Sequence, residues 1–213
     1  LFLFYFIYLM LDTLNIQTGD IILFCGKSNI ISDLIRFYLR SPYTHVGILL
    51  KDPTYIDPSY IGYYVLESGH EPHTNYGVQI TKLDYLLDNY NGKIFYRKLY
   101  TRKQSEKMES EFSHLWDSIH NRPYDLNFWD FLSVRLNPGM DNPEVSLLDW
   151  FSPDHRKTDT FICSSLVGYV YTMWGFFPNN LKWSEFEPAS FSANNEKLAL
   201  NKDCLLGPEI KLK

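Results

Sequence analysis

The rhythm of hydrophobic and polar positions changes partway along this chain. In the first half, short apolar runs alternate with turn residues, which is the mark of strands. They fall at GDIILF (19–24), then at 45–50, 63–67, 76–80 and 93–99, with Thr18-Gly19 turning the chain into the first. Two helical patterns interrupt them. Ile30, Ile31, Leu34, Ile35 and Tyr38 share one side of a helix over 29–40, stopped by Ser41-Pro42, and residues 81–87 form a short helix between the last two strands. Residues 52–59 and 68–75 read as loops.

From Arg102 onward the period lengthens. Residues 103–121 place Met108, Phe112, Leu115, Trp116 and Ile119 on one stripe of a charged helix. Arg122-Pro123-Tyr124-Asp125 turns into a second helical segment, 126–136, and the stretch 137–160, rich in Pro, Asp and Asn, reads as a long loop. Cys163 opens an apolar helix running to about Trp174, where Gly175 and Pro178 stop it. Beyond Asn179 the chain reads as loop, with a short turn at 188–196. Strands first and helices later predict an α+β fold, an antiparallel sheet with a helix packed on it.

No repeat or linker divides the chain, so one domain is expected over 17–213, preceded by an apolar extension over 1–16. The run LFLFYFIYLML (1–11) lacks the basic flank and small-residue cleavage site of a signal peptide, and it is too short to span a bilayer. Two readings stand. Either Met10 is the functional start and residues 1–9 are not native, or the run docks onto the domain or a membrane surface. No later segment is apolar enough to span a membrane.

Composition narrows the function classes. With 213 residues, 45% of them hydrophobic, the chain can bury one sizeable core. A formal charge of −5 argues against a nucleic-acid partner, which requires a basic face. The three cysteines, Cys25, Cys163 and Cys204, are odd in number and form no CxxC pair. A disulfide framework and a structural zinc site are therefore not expected, and a reduced, cytoplasmic protein is. His70-Glu71-Pro72-His73 has the residue types of a metal site, but Pro72 spoils the helix such a site would need, so no metal or other cofactor is expected.

The candidate chemistry lies on three elements. A helix N-terminus presents unpaired N–H groups and a partial positive charge, which favours a thiolate over a thiol, and Cys163 sits at such a position. His45 lies in the strand THVGILL, and Glu67 ends the strand YYVLE. A thiol, an imidazole and a carboxylate are the parts of a cysteine hydrolase. Each has a plainer reading: a free cysteine on an apolar helix is commonly a small buried hydrophobe, and a strand histidine a core residue. Glu71 and Asp52 are alternative carboxylates. Cys25 and Cys204 are expected to be inert.

The blocks GDIILF, SPYTHVGILL, a strand ending in Glu, RPYDLNF and TFICSSLVGYVY together resemble the permuted papain-like amidases of the YaeF/YiiX type. That group belongs with the NlpC-like thiol hydrolases and has poxviral and other large-virus members. The resemblance spans roughly residues 17–192. It implies a circularly permuted papain-like fold, a sheet or partial barrel packed against the Cys helix, with the His strand ahead of that helix. It also implies Cys163 as nucleophile, His45 as general base and Glu67 as the group orienting the imidazole, with the Cys163 backbone N–H as an oxyanion donor. Tyr124 and Asp125 match a family block and, with Tyr43, are candidates for the cleft. Many relatives carry Glu after the Cys-Ser pair, where this chain has Ser165-Leu166; the Asn-Cys-Glu-His motif of the lecithin:retinol acyltransferase relatives is absent.

The activity implied is hydrolysis of a peptide or isopeptide amide through a thioester. A thiol acyltransferase or lipid hydrolase is the alternative enzyme, and a non-catalytic viral or host interaction module is the alternative outside enzymes. The partners implied are a peptide, an isopeptide-linked protein or a lipid, met in the cytoplasm, or in a host cell or virion if the protein is viral.

Overall fold

A computed structural model of the chain describes residues 11, 13–27, 41–69, 77–120, 122–123, 161–181, 183, 186–195 and 198–213. Its centre is one six-stranded sheet in which every neighbouring pair is antiparallel. The strands are β1 (Ile21–Gly26), β2 (His45–Lys51), β3 (Tyr63–Gly69), β4 (Gly77–Lys82), β5 (Gly92–Thr101) and β6 (Cys204–Lys211). Their order across the sheet is β4-β3-β2-β1-β5-β6. Among the described residues three α-helices accompany them: α1 (Leu83–Asn89), α2 (Ser105–Ile119) and α3 (Cys163–Met173). A 3-10 helix, Pro188–Phe191, follows.

Both faces of the sheet are covered, which is why its central strands read as continuous apolar runs rather than alternations. On one face Ile21, Leu23, Val46, Ile48, Leu50 and Leu66 pack with Leu166, Val167 and Val170 of α3 and with Met108 and Phe112 of α2. On the other, Ile22, Phe24, Leu49, Val65 and Ile94 pack with Leu83, Leu86 and Leu87 of α1. Leu11 and Ile16 are fully buried in this second cluster, so the described part of the N-terminal extension is packed on the sheet. α3 crosses β2 and β3, which sets the Cys163 end of the helix near the strands carrying His45 and Glu67. No helix among the described residues is long and apolar enough to cross a membrane.

Most expected elements lie within two residues of their observed bounds. The tail is the exception. Residues beyond Asn179 read as loop, yet 204–211 form β6 at the sheet edge. Pro208 is tolerated there because an edge strand leaves its outer backbone groups unpaired. The strand is also held from outside its own pattern. The buried Arg97 guanidinium of β5 donates to the carbonyls of Gly207 (2.7 Å), Leu206 (3.0 Å) and Phe191 (2.6 Å), beside a register shift between Arg97 and Leu99. Burial lowers the Arg97 pKa, while Glu209 favours its charge. The helices expected at 29–40 and 126–136, and the loop at 137–160, lie outside the described residues.

Candidate functional site

His45 is the first residue of β2, registered against Phe24 of β1, and its ring lies 5.1 Å from the Phe24 ring, centroid to centroid. Between β2 and β3 the registered pairs run from Lys51 with Tyr63 to Ile48 with Leu66. Extending that register sets Gly47 opposite Glu67, with His45 diagonal to it on the same face, close enough for two long side chains to meet. They do meet: His45 Nε2 lies 2.7 Å from Glu67 Oε2. Gly47 lets the strands come close, since a Cβ there would stand 2.9 Å from the Leu66 carbonyl oxygen and 2.6 Å from Val65 Cγ1.

Glu67 is 6% exposed. A carboxylate so deeply placed needs donors on both oxygens. Oε2 faces the imidazole, and Oε1 accepts from the Thr81 hydroxyl of β4 at 2.6 Å.

Cys163 is the first residue of α3, where backbone N–H groups have no acceptor within the helix. Its approach is fixed by backbone contacts to remote elements. The Phe161 N–H donates to the Pro123 carbonyl at 3.2 Å, and the Phe161 carbonyl accepts from the Ser68 hydroxyl at 2.6 Å. Ser165 Oγ accepts from the Ile162 N–H at 3.0 Å, and the Ser164 hydroxyl donates to the Phe186 carbonyl. Ser68 follows Glu67 directly, so one strand positions both the carboxylate and the segment leading into the helix.

Cys163 lies close enough to His45 for its sulfur to favour the charged imidazole. With Nε2 turned to Glu67, Nδ1 is the nitrogen left for sulfur. Burial disfavours a charged imidazole, but Cys163 and Glu67 together outweigh it, and the His45 pKa is pushed up to about 10. Such a site can hold an imidazolium well above neutral pH.

Thiol, imidazole and carboxylate, expected from three separate elements, are thus brought together. Of the alternative carboxylates, Asp52 sits in a turn with φ 46° and accepts from the Gly62 N–H at 2.7 Å, while Glu71 lies outside the described residues. Tyr43 is buried; its hydroxyl donates to the Glu209 carboxylate, and its ring meets Phe95 edge-on at 5.6 Å. Burial and Glu209 raise its phenol pKa. Tyr124 and Asp125 lie outside the described residues, as do His70 and His73. Among the described residues no group of three or more His, Cys, Asp or Glu side chains is arranged to hold a metal ion. Cys25 and Cys204 are partly exposed free thiols.

Thr81 and Ser68 were not expected at the site. The sequence pattern opens the short helix 81–87 at Thr81, which the structure places in β4, and opens the loop 68–75 at Ser68, which the structure places in β3; neither pattern distinguishes its residue from a solvated polar one.

No protein-family model matches the sequence, and no curated protein matches it. Among solved structures, the chain is similar to one described as metalloprotein yiiX from Escherichia coli O157:H7, DUF1105, a YaeF/YiiX-type protein. The identity is 18% and the TM-score 0.48, over 92% of this chain and 95% of that one.

Proposed function

We propose that the protein is a cysteine hydrolase that cleaves an amide bond, in a peptide or isopeptide, through a thioester, on a circularly permuted papain-like fold. The observation that carries this reading is the pairing of His45 with Glu67, Nε2 to Oε2 at 2.7 Å, beside the helix end that bears Cys163. The single domain spans 17–213.

In the first half-reaction Cys163 Sγ attacks the carbonyl carbon, and the oxyanion that forms takes a hydrogen bond from the Cys163 N–H. The C–N bond then breaks, and His45 gives its proton to the departing amine nitrogen. His45 is now neutral, its Nε2–H kept on Glu67 and its Nδ1 lone pair free. In the second half-reaction Nδ1 takes a proton from water, whose oxygen attacks the thioester. The C–S bond breaks, a carboxylic acid leaves, and the proton on His45 again faces the sulfur. One amide and one water give one acid and one amine. Glu67 keeps the imidazole in one tautomer and orientation throughout. Tyr124 and Asp125 belong to the cleft in this reading.

The test is stoichiometric alkylation by a mild thiol electrophile at about pH 6–7, with the modified site mapped by mass spectrometry in wild type and His45→Ala. Rapid labelling of Cys163 alone, slowed by loss of His45, is the expected outcome. Cys163→Ala is expected to remove all turnover while leaving the fold intact. Slow labelling spread over Cys25, Cys163 and Cys204 would refute the reading and favour a binding module that keeps the fold without turnover.

A further inference from the structure

The scheme above takes His45 through a neutral state once in each turnover, after it has protonated the leaving amine. During that interval Glu67 is a nearly buried anion that has lost its cationic neighbour. An ionised group in that setting is held only by the donors that remain. Among the described residues there are two, the His45 Nε2–H and the Thr81 hydroxyl on Oε1 at 2.6 Å. With the hydroxyl gone, the imidazolium becomes the only strong compensation for the carboxylate, and the neutral imidazole becomes the costly state.

The location of Thr81 suits this task. It lies on β4, paired with Val65, while Glu67 pairs with Gln79, so Thr81 and Glu67 are diagonal neighbours on adjoining strands. The short Thr81 side chain, with its stiff χ1, offers one donor from a fixed strand. A hydroxyl there fixes the carboxylate plane, and with it the direction in which Oε2 meets the ring.

We propose that Thr81 is a positioning residue whose hydroxyl holds Glu67 anionic and in one orientation while His45 is neutral, so that the proton stays on Nε2 and Nδ1 can take a proton from water. Its part in turnover rests on the hydrolase reading; its effect on the imidazole does not. Loss of the hydroxyl therefore acts on the steps that make or use the neutral imidazole, protonation of the amine and resolution of the thioester, and not on attack by the sulfur; with a p-nitrophenyl ester, whose leaving group needs no proton, it acts on resolution alone.

The test is an NMR titration of 15N-histidine-labelled protein in a Cys163→Ala background, which removes the charge of the sulfur from His45. Thr81→Val, Thr81→Ala and Thr81→Ser are compared in that background. The first two should raise the pH at which His45 loses its proton by about 0.5–1 unit. Thr81→Ser, which keeps the donor, should restore the original midpoint; Thr81→Ala serves if the valine variant fails to fold. With Cys163 present and p-nitrophenyl acetate as the acyl donor, Thr81→Val should keep the burst rate within about twofold and lower the steady-state rate by about tenfold. An unchanged or lowered His45 midpoint, with the wild-type burst intact, overturns the proposal alone. Absence of a burst in wild type overturns the hydrolase reading and the role in turnover, and the titration still decides whether Thr81 governs the His45–Glu67 pair.

Discussion

A single methyl group at Gly47 tests the close approach of β2 and β3 on which the site depends. The Cβ of Gly47→Ala would lie 2.6 Å from Val65 Cγ1, 2.9 Å from the Leu66 carbonyl oxygen and 3.4 Å from Ile22 Cγ2. Val65 is fully buried, with little room to turn aside, and the carbonyl is backbone. To reach ordinary contact at 3.4 Å, the carbonyl has to retreat by about 0.5 Å. Overpacking of this kind costs about 1–3 kcal/mol. In a chain of this size that lowers Tm by roughly 2–4 °C for each kcal/mol. The same retreat carries the 2.7 Å contact between His45 and Glu67 to about 3.2 Å, the outer edge of a hydrogen bond. Alkylation of Cys163 at pH near neutral is therefore expected to slow together with the loss of stability seen in urea unfolding. Gly69→Ala is the control, because among the described residues a Cβ there would meet Gln79 Nε2 alone, at 3.5 Å. Alanine in place of glycine otherwise stabilises a chain by reducing unfolded-state entropy. A Gly47→Ala protein with wild-type stability and wild-type alkylation would refute the close approach, and equal damage from Gly69→Ala would refute its specificity.

Three further changes probe the rest of the framework. Glu67→Gln removes an anion beside the imidazole and so lowers the raised His45 pKa, by about 1–3 units; NMR titration should show the shift, and Cys163 alkylation should fall less than in His45→Ala. Gly77→Ala adds a Cβ 2.1 Å from the Arg122 carbonyl oxygen at a residue with φ +127°, so unfolding should show a loss of about 2 kcal/mol or more. Asp20→Asn places an amide where a fully buried carboxylate accepts from the N–H groups of Gln17 and Leu99 and from the Tyr96 hydroxyl. A loss of about 1–3 kcal/mol in urea unfolding is expected, and an Asp20→Asn protein as stable as wild type would make that carboxylate dispensable.

What the sequence made legible follows from how local each signal is. The strands at GDIILF and THVGILL could be read because burial on both faces leaves an apolar run that tertiary context does not alter. The α3 helix could be read because Gly175 and Pro178 close an apolar stretch that Cys163 opens. The identity of the carboxylate was open between Glu67, Glu71 and Asp52, since only the β2–β3 register sets Glu67 beside the imidazole. β6 escaped notice because Gly207-Pro208 reads as a turn, and the donors that hold it belong to Arg97, more than a hundred residues away. Thr81 and Ser68 escaped for the same reason: the partner of each hydroxyl lies on another element.

These remote contacts also divide the site into two parts that can be perturbed separately. Val78 N–H donates to the Arg122 carbonyl at 2.9 Å, Phe161 N–H to the Pro123 carbonyl at 3.2 Å, and Ser68 to the Phe161 carbonyl at 2.6 Å. The segment 122–123 therefore bridges β4 to the approach of Cys163, while β3 grips the same approach through Ser68. A disturbance at Gly77 or Ser68 moves the sulfur relative to the ring and leaves the carboxylate pair intact. One at Glu67 or Thr81 alters the charge the ring can hold and leaves the sulfur in place. The first kind should change how fast Cys163 is alkylated at every pH, and the second the pH range over which His45 stays protonated. Because β3 takes part in both, Glu67 and Ser68, adjacent in sequence, should fall into opposite classes.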